Sequence, residues 1–182
     1  LIVKSFLKND STGTLICEED SSMEQPVVSG IMSDKNQAKI TIKGVPDQPG
    51  IASKFFTGLA DANLSVDMII QNVSEEGHTD ISFTLKKEDI NEATEIVNKL
   101  GEIIGARKIS SDSKICKVSI VGAGMRSNPG VAAKMFNALS EENINIIMIS
   151  TSEIRVSCII DEKYGELAVR VLHNTFNISA EK

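Results

Sequence analysis

The chain has 182 residues, 41% of them apolar, enough for one or two domains with real hydrophobic cores. Its net charge is −6 with lysine and arginine scattered along it, and six phenylalanines and one tyrosine leave little to stack on bases, which argues against a nucleic-acid surface. No run approaches the roughly 20 apolar residues that cross a membrane as a helix, and two histidines with no paired cysteines leave nothing from which to build a metal site.

The chain opens Leu1-Ile2-Val3-Lys4, with neither an initiator methionine nor a signal-peptide layout, and reads as a piece of a longer protein. Residues 1–25 are expected to be a remnant of what precedes. Residues 3–7 suit a short strand, 11–14 a turn, and the acidic run 18–24 a linker. Cys17, Cys116 and Cys158 are odd in number and far apart, as reduced thiols of an intracellular protein would be, so the cytoplasm is the expected location.

Residues 27–32 form a short apolar strand pattern, followed by the turn residues Ser33-Asp34-Lys35-Asn36 and an alternating strand over 38–45. From 51 to 63 the apolar positions Ile51, Phe55, Phe56, Leu59 and Ala62 keep helical spacing, and Asn63 is a suitable stop because Asn tolerates the left-handed conformation. A strand over 64–73, a hairpin turn at 75–77 and a partner strand over 79–85 follow. A second helix spans 88–100, with a closing strand over 103–109. The order is βαββαβ, an α+β, ferredoxin-like unit with both helices on one face of an antiparallel sheet.

The second half repeats the plan. Strands are expected over 115–121, 144–150 and 155–160, and helices over 131–143 and 162–176. An offset of 80 aligns Ala52 with Ala132, Phe56 with Phe136, Asn63 with Asn143 and Met68 with Met148, so a duplicated unit is the simplest origin. The second unit lacks its last strand, since 177–182 is too short and polar, while 27–32 is left over at the front. The early strand is therefore expected to complete the second sheet. That places the first unit (37–111) inside the second (26–36 plus 112–180) and joins them as one body.

Each unit has a polar turn between its first strand and first helix. One is Asp47-Gln48-Pro49-Gly50 and the other Ser127-Asn128-Pro129-Gly130. The first N–H groups of a helix lack intrahelical partners and sit at the positive end of its dipole, a place that suits a carboxylate or phosphate. Asp47 beside the donors of Gly50, Ile51 and Ala52 pairs an ammonium acceptor with a carboxylate site, the two charged groups of an amino acid; taken alone, an Asp in a Pro-rich turn is an ordinary turn former. Gly122-Ala123-Gly124 follows a strand as in dinucleotide sites, but Ser127 stands at the third glycine and Pro129 at the intended helix start, so a nucleotide site is set aside. Neither histidine accompanies a nucleophile, no phosphate loop is present, and no catalytic residue or cofactor is expected in this chain.

Asp47-Gln48-Pro49-Gly50-Ile51-Ala52, Val66-Asp67-Met68-Ile69-Ile70-Gln71-Asn72-Val73 and, more specifically, Val121-Gly122-Ala123-Gly124-Met125-Arg126-Ser127-Asn128-Pro129-Gly130 and Ile149-Ser150-Thr151-Ser152-Glu153-Ile154-Arg155 resemble the regulatory region of aspartate kinase. Ser11-Thr12-Gly13-Thr14-Leu15-Ile16 is similar to the end of that family's catalytic domain. The resemblance implies a pair of ACT domains, the first inserted in the second. It implies feedback inhibition by lysine, threonine or both in the pathways to lysine, threonine and methionine. ATP would be used only by the catalytic domain that this chain lacks. The effector would bind between the first unit of one chain and the second unit of another in a homodimer that serves the kinase catalytic domain or subunit, with no nucleic-acid or membrane partner. One unit would contribute Asp47, Gln48, Pro49, Gly50, Ile51, Ala52, Ser65, Val66, Asp67 and Gln71. The other would contribute Val131, Ala132, Asn145, Ile146, Ser152 and Glu153. Asp47, Asp67 or Glu153 would face an ammonium, while Gln71 and Asn145 would orient polar atoms. Ile147 and Asn128 depart from the family, where Gln or Glu and His respectively are common. The contrasting reading is a structural dimerisation module that binds no ligand.

Overall fold

The structure is a computed structural model that describes residues 2–3, 14–15, 27–73, 77–123, 125 and 128–178. A two-residue strand β1 (Ile2–Val3) pairs antiparallel with β2 (Thr14–Leu15). The expected strand beyond Val3, the turn at 11–13, the acidic linker, the residues 75–76 of the first hairpin, and 179–182 lie outside the described residues.

The body of the fold is one six-stranded antiparallel sheet. Its strands are β3 (Gly30–Pro46), β4 (Val66–Val73), β5 (His78–Lys86), β6 (Lys108–Val121), β7 (Ile146–Thr151) and β8 (Arg155–Asp161), in spatial order β4-β5-β3-β6-β8-β7. The helices are α1 (Ile51–Asp61), α2 (Ile90–Ile104), α3 (Val131–Glu141) and α4 (Gly165–Phe176). Asn63 and Asn143 end α1 and α3 in the left-handed region, at φ 59° and 55°, as the sequence pattern required.

The strand expected over 27–32 is the start of β3: Gly30 to Asp34 pair with Val121 to Lys117, on the far side of β6 from β8, within the single six-stranded sheet. The two long strands carry an internal symmetry. Gly30 faces Val121 and Lys43 faces Lys108, Asp34 faces Lys117 and Lys39 faces Asp112, with Gln37 opposite Ile115 at the centre. Each β3 position corresponds to a β6 position 78 residues on, so a local two-fold axis passes through the middle of the ladder.

Two expectations are corrected here. Ser33-Asp34-Lys35-Asn36 is not a turn between strands: β3 runs through it, with a register shift between Asp34 and Gln37. Asp34 Oδ1 accepts the Asn36 N–H at 2.8 Å, which satisfies the backbone locally while the strand bends. Asp112 does the same for the Lys114 N–H at 2.9 Å, so β6 also passes through a polar stretch. Second, residues 103–104 are helical rather than extended. Gly105, at φ 84°, caps α2 and strand pairing starts only at Lys108.

Each unit has its own core under its helices. Ile40, Ile42, Phe55, Leu59, Phe83 and Val97 lead the first, and Val118, Ile120, Met135, Leu139, Cys158 and Leu172 the second. A third cluster lies on the helix-free face. Ile115 and Ile159, which alternate with the helix-facing Cys116 and Cys158, pack with Met68 and Met148 from the two edge strands. Strands at opposite edges share one cluster only because the sheet folds back on this face. Lys87, just after β5, reaches Glu162, just after β8, at 3.0 Å and ties the units at equivalent positions.

Candidate functional site

In the first turn, the Asp47 N–H donates to the Gly77 carbonyl at 2.9 Å and the Gln48 N–H to the Pro46 carbonyl at 3.0 Å, pinning the chain where β3 ends. Gly50 adopts φ 92° and opens α1 with no side-chain cap. The Ile51 N–H, expected as a ligand donor, is instead taken by the Gln48 carbonyl at 3.3 Å, so of the expected donors Ala52 is the first-turn N–H left to water or a ligand. Asp47, Gln48, Pro49 and Gly50 are exposed, Ala52 is half-buried, and Ile51 is buried as the anchor of the helix. The second turn copies this arrangement. Gly130 adopts φ 98°, α3 has no side-chain cap, and the first helical bond is Lys134 N–H to the Gly130 carbonyl at 2.8 Å.

At the second turn the structure forms a pocket of about 490 Å³ that brings together Val131, Ala132, Ser152 and Glu153. The hairpin carrying the last two is closed by the Ser152 N–H on the Arg155 carbonyl at 2.7 Å. The start of α3, which has no side-chain cap among the described residues, lines the pocket together with Glu153. A zwitterion fits such a pair: its carboxylate on the helix N–H groups, its ammonium on the acid. Met125, Asn128, Pro129, Gly130, Thr151 and Val156 complete the lining. Of these, Met125, Thr151 and Val156 were not singled out beforehand, because an apolar or hydroxyl wall residue leaves no chemical signature in a sequence. Gln71 corresponds by the 80-residue offset to Thr151. It is exposed near the end of β4, opposite Ile81, on the same side of its unit as the first turn.

The remaining predicted residues lie elsewhere. Ser65, Val66 and Asp67 follow α1, and Asn145 and Ile146 follow α3, and each helix has eleven residues. At 1.5 Å rise per residue the two ends of each unit stand about 16 Å apart. Asn145 and Ile146 line a separate cavity of about 580 Å³ with Phe136, Asn137, Ser140, Asn143 and Ile144. One chain therefore does not assemble the predicted set around a single ligand. Asp67, an ammonium acceptor by the family resemblance, has its carboxylate paired in this chain with the Lys117 ammonium, a partner 50 residues away in the sequence.

Cys116 and Cys158 are buried in the second core. Burial pushes both thiols up, that of Cys158 to about 12, so neither is a nucleophile at neutral pH.

Comparison with known proteins is consistent across sequence and structure. Models of the ACT domain match residues 39–105 and 118–176. The aspartate kinase of Pseudomonas fluorescens is 53% identical over 180 residues, which is 98% of this chain and 43% of that protein. The chain thus spans less than half the length of the curated relatives it matches. Among solved structures, one of aspartokinase alpha and beta subunits is 57% identical with a TM-score of 0.78, covering 82% of this chain and 99% of the other. The ligand-free regulatory subunit of aspartate kinase from Thermus thermophilus is 44% identical with a TM-score of 0.79 over the same shares.

Proposed function

Since this chain belongs to the aspartokinase family and consists of that family's regulatory ACT domains, we propose that it senses lysine, threonine or both and thereby restrains phosphorylation of aspartate by the kinase catalytic part. The observation that carries the reading is the pocket at Gly130, Val131 and Ala132 facing Ser152 and Glu153, where uncapped helix donors lie with a carboxyl. The split between the turn ends and the far ends of the units fits a ligand held between two copies of the chain. In that homodimer, Asp47 to Ala52 and Gln71 of one chain would meet Asn145 and Ile146 of the other. A ligand that prefers one arrangement of the copies stabilises it by its difference in affinity, and the catalytic part reads that arrangement. ATP and aspartate belong to that part, in the cytoplasm.

A second reading, a dimerisation module without a ligand, is favoured by Ile69 and Ile149, which stand exposed at equivalent positions on the two edge strands. Thermal unfolding with lysine, threonine, methionine or aspartate at millimolar concentration separates the two. A ligand at 100 times its dissociation constant adds about 2.7 kcal/mol, which for a chain of this size raises the midpoint by about 5–11 °C. Sensing predicts that rise with lysine or threonine and its loss in Glu153→Gln with dimerisation intact. No rise with any of the four would leave the dimerisation module as the better account.

A further inference from the structure

The Asp67–Lys117 pair joins the first unit's edge strand β4 to the second unit's β6 across the helix-free face. Lys117 is mostly buried, its side chain 14% exposed against 41% for Asp67, so the ammonium is held in place rather than waving in solvent. Its apolar stem lies beside Ile159, its partner on β8, at the edge of the cluster that includes Met68 and Met148. The second unit has no counterpart. There Ile147 stands for Asp67 and Lys39 for Lys117, and no ion pair involves Lys39 among the described residues. The duplication is thus electrically unequal at this place: the first unit's carboxylate is filled by a lysine of the second.

We propose that Lys117 is an internal competitor for the side-chain ammonium of a lysine effector: it occupies the Asp67 carboxylate in the ligand-free chain, and that second ammonium, which threonine lacks, must displace it to bind there. This rests on the sensing function proposed above. Displacement would cut one of the ties between the two units and so report occupancy of the first to the second. The released ammonium need not stay unpaired. Asp34 is Lys117's neighbour across the β3–β6 ladder, and among the described residues its carboxylate oxygens accept the Asn36 N–H and the Gln37 amide. Gln37 Oε1, close by at the centre of that ladder, is a buried acceptor without a partner among the described residues. Asp34, directly across the ladder from Lys117, thus offers a second carboxylate for the released ammonium.

The test is calorimetric titration of the 182-residue chain with lysine and with threonine, for the native protein and for Lys117→Met, which keeps the apolar stem. The expected result is at least a tenfold gain in lysine affinity with threonine affinity changed less than twofold, and loss of that gain in Lys117→Met/Asp67→Asn. Lys117→Arg, which preserves the pair, should stay within twofold of the native chain for both. Lys117→Gln serves the same comparison if the methionine variant does not fold. Lysine affinity that is unchanged, or that falls in step with threonine, overturns the competitor. If the native chain binds threonine and Lys117→Met gains nothing for lysine, the competitor fails and sensing stands. If only Lys117→Met binds lysine, the competitor stands and sensing by the native chain fails; if neither protein binds either amino acid, both fail.

Discussion

Replacing Gly130 with alanine tests whether the turn before α3 is held in a conformation that only glycine adopts freely. Gly130 sits at φ 98° and ψ −12°, and an added Cβ would meet nothing within 4 Å. Steric collision is therefore absent, and the cost must come from the backbone. Forcing an L-residue into left-handed space costs about 1–2 kcal/mol, which lowers the melting temperature of a chain of this size by about 2–8 °C. Asparagine visits that region more readily, so Gly130→Asn should lose about half as much. Gly50 has φ 92° and the same open surroundings, and Gly50→Ala should cost the same within error. Urea unfolding at pH 7 supplies the numbers. If Gly130→Ala falls within about 0.3 kcal/mol of the native protein, the turn relaxes and the donors of α3 are not preset. The argument for a ready carboxylate site would then fail with it.

The helix-free cluster and the buried thiols make two further predictions. Met68→Ala and Met148→Ala should each cost about 2–5 kcal/mol, against less than about 1.5 for the leucine variants, and both should lower the urea midpoint of one shared transition, since the cluster joins the units. Two separate transitions would show that the sheet does not couple them. Cys158 is raised by burial from 9.0 to about 12. Its proton is bound more tightly in the folded state, so its contribution is complete below pH 9 and is lost between pH 9 and 12 at up to about 1.4 kcal/mol per pH unit. Urea midpoints measured across that range should fall less steeply in Cys158→Ala than in the native chain; parallel slopes would contradict the assignment.

Much of the fold was legible because it is local and repeated. The strand–turn–helix pattern and the asparagines that stop α1 and α3 follow from spacing, while the strand expected over 27–32 begins only at Gly30 and continues to Pro46. The passage of β3 and β6 through polar residues was not, since Ser33-Asp34-Lys35-Asn36 has turn composition and becomes strand only because Asp34 satisfies the bent backbone and a partner strand lies alongside. The turn donors could be named because helix ends have fixed chemistry, whereas Glu153 came only from the family resemblance. The Lys117 partner of Asp67 could not, because it depends on how far the sheet folds back, which no local pattern encodes.

The central claim is that an amino acid binds at the uncapped start of α3 against the Ser152–Glu153 hairpin. The most direct measurement is a titration of the isotope-labelled chain with lysine and with threonine, following backbone amide resonances. The account predicts saturable shifts at Val131, Ala132, Ser152 and Glu153, largest at the first-turn N–H groups that receive the carboxylate. Saturable shifts confined to other parts of the chain, or none with either amino acid, would contradict it.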